Sequence, residues 1–176
     1  MTPFQIFIAY AKIRGIMPEL KKAENNQLRS YFEFDPQTGQ HVRKNISFKG
    51  MFENHFFNNG FGYSPIYSIL YHFDDGDIIL DMPKVNKAHR RWRTFVINNV
   101  ILDEPLKNGA KIKYKSWGRE REGTVHHIMN DYSRILVKDE NDRIQYISPG
   151  NILEVEGKPF EISFHFKWKG KEYGKK

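Results

Sequence analysis

The sequence predicts an α+β protein: an α-rich N-terminal region, then a small five-stranded β-module, then an extra C-terminal strand. Three observations predict it. Apolar residues in the first hundred positions recur mostly at helical spacing, residues 107–157 break into short period-2 runs between turn residues, and residues 160–169 alternate strictly between apolar and polar. The expected division is 1–105 for the helical region, 106–170 for the β-module with its added strand, and 171–176 for a flexible basic tail.

Thr2 and Pro3 are an N-cap and first-turn pair, opening a helix through about Arg14 on which Phe4, Ile8 and Ala11 repeat before Gly15 ends it. A polar helix is expected over 18–29 and a turn at Asp35-Pro36-Gln37-Thr38-Gly39. Residues 48–57 predict a helix stopped by Asn58, Asn59 and Gly60, and Ser64-Pro65 caps one running to about Phe73. Asp74, Asp75 and Gly76 then turn the chain into a short strand over 77–80. Residues 86–100 form a basic amphipathic helix, with Ala88, Trp92, Phe95 and Val96 on one side and Lys87, Arg90, Arg91, Thr94 and Asn98 on the other. Its cations suit phosphates, and Asn98 and Thr94 suit sugar or phosphate oxygens; a solvated surface helix is the plainer alternative.

Residues 109–128 read GAKIKYKSWGREREGTVHHI. Period 2 places Ile112 and Tyr114 on one side of a strand and a row of Lys111, Lys113 and Lys115 on the other. Gly118 and Gly123 bracket the charged tetrapeptide Arg119, Glu120, Arg121, Glu122, which reads as a loop, with Gly123 free to take positive φ where the chain swings into the next strand at 124–128. The lysine row is expected to be the firmer phosphate contact, Arg119 and Arg121 adjustable arms, and Trp117 a base-stacking or barrel-capping residue. Residues 134–138 and 143–147 form a hairpin across Asp139-Glu140-Asn141-Asp142, and Ser148-Pro149-Gly150-Asn151 turns the chain into a last strand at 152–155.

This stretch resembles the KOW motif of small Src-homology-3-like barrels, on Gly109, Ile112, Tyr114, Gly118, Gly123, Val125 and Ile128. The resemblance covers about residues 107–157 and implies a five-stranded SH3-like (Tudor-like) barrel, with duplex DNA, ribosomal RNA or RNA polymerase as partners in similar proteins. The basic, cysteine-free build with a terminal KOW-like module also resembles the MotB-type DNA-binding, nucleoid-associated proteins of T-even-like phages. That likeness implies a place in the cytoplasm or nucleoid of a host cell and a part in transcription regulation.

Composition narrows the classes. With 176 residues, 15% of them aromatic, the chain can bury a real core. The absence of cysteine excludes disulfides, a thiol nucleophile and cysteine-ligated zinc, and no apolar run approaches the roughly 20 residues of a membrane span. A cytoplasmic protein without membrane contact is expected. The formal charge is +7; residues 1–105 carry 13 Lys and Arg against 11 Asp and Glu, so most of the excess lies in the β half. The alternating segment 160–169 should join the barrel or cover a seam, leaving His165, Lys167 and Lys169 outside.

The expectation is therefore a non-enzymatic, largely sequence-independent nucleic-acid-binding protein, DNA favoured over RNA, without cofactor. Its contacts are expected at Lys111, Lys113, Lys115, Trp117, Arg119, Arg121, Lys87, Arg90, Arg91, Lys167 and Lys169. Two other classes compete. A protein-interaction adaptor would use Tyr114, Trp117, Tyr132 and Tyr146 as a peptide groove. A metal-dependent nuclease would use Asp74, Asp75, Asp77 and Asp81 with Lys84, but their spacing departs from the usual acidic-x-Lys pattern, and turn and capping roles fit better. His126 and His127 are adjacent on a strand and cannot easily chelate one metal.

Overall fold

A computed structural model describes residues 1–26, 29–66, 70, 80–104 and 106–175. Helix α1 is Pro3–Arg14 and α2 is Met17–Asn26. Strands β1 (Arg29–Asp35) and β2 (Gln40–Ile46) precede α3 (Phe48–Asn59), and α4 is Met82–Asn99. Then come β3 (Val100–Leu102), β4 (Lys111–Ser116), β5 (Arg119–Ile128), β6 (Ile135–Lys138) and β7 (Ile144–Ile147). A 3₁₀ turn at Pro149–Asn151 leads into β8 (Ile152–Val155), followed by β9 (Lys158–Pro159), β10 (Phe164–Trp168) and β11 (Lys171–Tyr173). The architecture is mixed α+β, helices first and then antiparallel sheets of three and six strands. Among the described residues no helix is long and apolar enough to cross a membrane.

Local chemistry sets the helix ends. Thr2 and Gln5 exchange backbone and side-chain hydrogen bonds in a capping box, and Gly15 closes α1 at φ 67°. Ile6, Phe7, Tyr10 and Ala11 are the buried stripe of α1, with Phe4 and Ile8 only partly covered. In α3, Phe48, Phe52 and Phe56 recur every fourth residue, and Phe52 stacks on Phe7 with centroids 4.9 Å apart. From α4, Trp92 is fully buried and donates from Nε1 to the Phe61 carbonyl at 2.8 Å. The helix expected from Ser64 to Phe73 and the strand at 77–80 fall largely outside the described residues, as do Asp74, Asp75 and Asp77; Asp81 caps α4, accepting from the Lys84 amide at 3.2 Å.

Two expectations need correction and two others gain detail. The α-rich N-terminal region also holds a hairpin, β1 and β2, flanking the predicted turn, where Asp35 accepts from the Gln37 amide and the Thr38 hydroxyl. Residues 171–173 are strand rather than tail: Lys169 and Gly170, at φ 48° and 76°, fold the chain back, and Tyr173 stacks on Phe166 at 4.6 Å. Of the two places expected for the last long strand, the structure has the seam: β10 pairs with β3 rather than with the six-stranded sheet and sets Phe164 against Phe56, Phe61 and Tyr132, between helices and sheet. Finally, His165 does not face solvent freely. It is 9% exposed because Asp103, 2.7 Å from its Nδ1, and Glu172, 3.4 Å from its Nε2, supply polar partners.

The six-stranded sheet has the order β7-β6-β5-β4-β8-β9, a meander whose fifth strand returns beside the first. Its inner face buries Ile112, Tyr114, Val125, Ile135, Val137, Ile147 and Ile152. The C-terminus of α3 docks on it. The free carbonyls of Phe57 and Asn58 accept from Asn151 Nδ2 (3.4 Å), from Ser148 Oγ (2.7 Å) and from Arg134 Nη1 (3.2 Å). These donors satisfy groups that a helix end leaves orphaned, and the Arg134 cation complements the negative end of the helix dipole. Gly150 packs here because a Cβ would lie 2.5 Å from the Phe57 ring.

Candidate nucleic-acid interface

The β4–β5 hairpin is longer and its turn tighter than the sequence suggested. Ser116 pairs with Arg119, so Trp117 and Gly118 alone form the turn, at φ 52° and 74°, and the charged tetrapeptide is strand rather than loop. Both central residues at positive φ is the type I′ pattern, in which Asn or Asp normally precedes Gly; an L-residue such as Trp pays about 1–2 kcal/mol for that conformation. Trp117 is also 95% exposed, so no packing offsets the strain. Gly123 is not at positive φ. It sits within β5 opposite Ile112, where a Cβ would lie 2.5 Å from Val137 Cγ1 and 2.6 Å from the Lys138 carbonyl, so what requires glycine is space.

Register decides which cations are available. Lys113 lies opposite Glu122 on β5 and Glu154 on β8, and Lys115 lies opposite Glu120. Lys113 Nζ is 2.8 Å from Glu120 Oε2 and 3.9 Å from Glu154 Oε1. Glu120 accordingly holds the Lys113 ammonium above its ordinary pKa, and Lys113 holds the Glu120 carboxyl below its own. The expected lysine row is thus a face of alternating sign, and a phosphate must displace carboxylates to reach Lys113. Arg119 and Arg121 project to the opposite side, exposed and in no ion pair among the described residues. They line a cleft of about 670 Å³ with Lys113, Arg143 and Gln145, whose wall also carries four carboxylates, Glu120, Glu122, Asp139 and Glu140.

Helix α4 carries the cleaner cationic surface. Its 18 residues, MPKVNKAHRRWRTFVINN, contain five Lys and Arg and no carboxylate. Lys84, Lys87, Arg90 and Arg91 are exposed and form no ion pair among the described residues, whereas Arg93 is 2.8 Å from Asp131. Thr94 and Asn98 continue the exposed face, so the stripe from Lys84 to Asn98 runs about 21 Å along the axis. The helix dipole disfavours only Lys84, the one cation of the stripe in the first turn, and there the Asp81 carboxylate at the N-cap offsets it. Lys84 was not among the phosphate contacts expected from sequence. The missing signal was the boundary: Asp81 caps the helix earlier than expected and brings Lys84 onto the stripe.

The two expected surfaces lie toward opposite ends of β5. Arg93 ties α4 to Asp131, beyond the C-terminal end of β5, while Trp117 precedes its N-terminal end. Ten residues of strand set these points up to about 30 Å apart. Lys167 and Lys169 are exposed on the β10–β11 hairpin, with Lys167 paired in register to Glu172. The peptide groove expected for an adaptor does not assemble: Tyr114 is fully buried, and Tyr132 is half-buried between Phe61 and Phe164. Only Trp117 and Tyr146 of that quartet are exposed. His126 and His127 are both exposed at a bulge in β5, and no group of three or more metal-ligating side chains occurs among the described residues.

Comparison with known proteins adds one relative. Over 81 residues, 44% of this chain and 84% of the other, the chain is 27% identical to the uncharacterised protein YozL of Bacillus subtilis (strain 168). No family model matches the chain. No solved structure matches it either.

Proposed function

We propose that this protein binds nucleic acid without catalysis and largely without sequence preference, DNA over RNA. The observation that carries the reading is the outer face of α4, where Lys84, Lys87, Arg90 and Arg91 stand unpaired among the described residues on a helix without a carboxylate. Such a stripe gains by releasing the counterions condensed on a phosphate backbone, and that gain does not depend on base identity. The meander β4 to β7, the 3₁₀ turn and the return of β8 beside β4 are in keeping with a KOW-like, SH3-like barrel. In this reading the barrel contributes a second contact at Arg119 and Arg121.

The test is a salt titration of affinity for a blunt duplex of random sequence, an oligothymidylate and a structured RNA, read by fluorescence anisotropy. Binding should weaken linearly in log affinity against log salt, and two unrelated duplex sequences should bind within about threefold of each other. No binding to any of the three at low salt would overturn the proposal.

A further inference from the structure

Neither backbone nor packing selects tryptophan at position 117. The φ of 52° favours Asn, Asp or Gly, and a side chain 95% exposed contributes nothing to the core. A large aromatic surface held at the apex of a two-residue turn, with Arg119 and Arg121 just behind it and in no ion pair among the described residues, is a stacking surface with phosphate-holding arms. In a closed duplex every base face is already covered by its neighbours, so such a tip gains its stacking contact only where a base is free. We infer that the Trp117–Gly118 turn is a base-stacking tip that recognises nucleic acid with an unstacked base, single-stranded or bulged. This rests on the nucleic-acid reading and narrows its ligand. The cationic helix then holds backbone phosphates up to about 30 Å away, a span of nine or so base pairs.

The experiment compares the wild-type chain with Trp117→Asn and Trp117→Phe on three probes: an oligothymidylate, a perfectly paired blunt duplex, and that duplex with an unpaired bulge. Asn suits the turn, so the first variant should melt no lower than wild type, which separates loss of binding from loss of fold. Trp117→Asn should bind the oligothymidylate and the bulged duplex about tenfold more weakly while binding the perfect duplex within about twofold of wild type. Trp117→Phe should keep most of the affinity. Because Trp92 is fully buried and Trp168 half-buried, quenching of wild-type tryptophan emission by the oligothymidylate should report Trp117 and be largely lost in both variants. If Trp117→Asn binds all three probes as wild type does, or loses affinity equally for all three, the tip does not stack on bases, and the cationic-helix reading stands untouched. If the wild type binds none of them, both readings fall together.

Discussion

Replacing Lys84, Lys87, Arg90 and Arg91 together by glutamine removes four exposed cations and leaves the buried stripe of α4, Val85, Ala88, Trp92, Phe95 and Val96, untouched. Each phosphate neutralised on duplex DNA contributes about 0.9 to the slope of log affinity against log salt, so four contacts contribute about 3.6. Between 50 and 200 mM salt those four contacts alone account for about a 150-fold fall in wild-type affinity, which the variant should not show. Stability should stay within about 0.5 kcal/mol, because the side chains are exposed and glutamine is a good helix former. The assay is anisotropy with a labelled blunt duplex at several salt concentrations, beside a urea melt of each protein. A variant slope within 1 of the wild-type value, with binding retained, would show that phosphates do not lie on this face.

Four further outcomes follow from the packing. Gly123→Ala should cost about 1–3 kcal/mol in a urea melt, because its Cβ meets Val137 and the Lys138 carbonyl, whereas Gly109→Ala, with nothing within 4 Å among the described residues, should lose only the conformational preference of φ 89°. Trp117→Asn should stabilise the chain by up to about 1 kcal/mol in the same melt by relieving the turn. Arg134→Ala, which strips donors from the carbonyls of Asn58 and Ser133 and from the Ser148 hydroxyl, should cost about 1–3 kcal/mol and speed hydrogen exchange at the end of α3. Burial pushes the Asp131 and Asp103 carboxyls up, but both lie below their ordinary values. Bonds from Ser133 with the Arg93 guanidinium outweigh burial at Asp131, and bonds from Ser163 and His165 with the N-terminal ammonium do so at Asp103. Their stabilisation is therefore present above the unfolded value of about 3.9 and lost as pH falls through the lower folded values, so Asp131→Asn should flatten the acid side of a urea-midpoint profile.

Much of the local structure was legible because it depends on residues close in sequence. Thr2 with Pro3, Gly15 and Gly60 mark helix ends within a single turn, and the apolar side of α4 follows from spacing alone. The residues 119–122 read as a loop because they bear no apolar side chain. They are strand because β5 outruns the core there and is held by its pairing to β4, which demands no burial. Trp117-Gly118 did not read as a hairpin turn, since tryptophan is a poor turn former; the turn forms because register leaves only those two residues between the strands.

The sequence by itself determined the α+β order, the helix caps and a helix whose outer face is polar and basic without a carboxylate, because helix and strand periodicities and capping bonds act over a few residues. Only the tertiary structure decided which cations are available to a ligand. Lys113 is claimed by Glu120 and Glu154, one across a hairpin and the other far along the chain, while the α4 stripe meets no carboxylate among the described residues. It also decided that β10 closes the seam against β3 and draws His165 between Asp103 and Glu172. Charge pairing and burial depend on which strands become neighbours, and local spacing does not encode that.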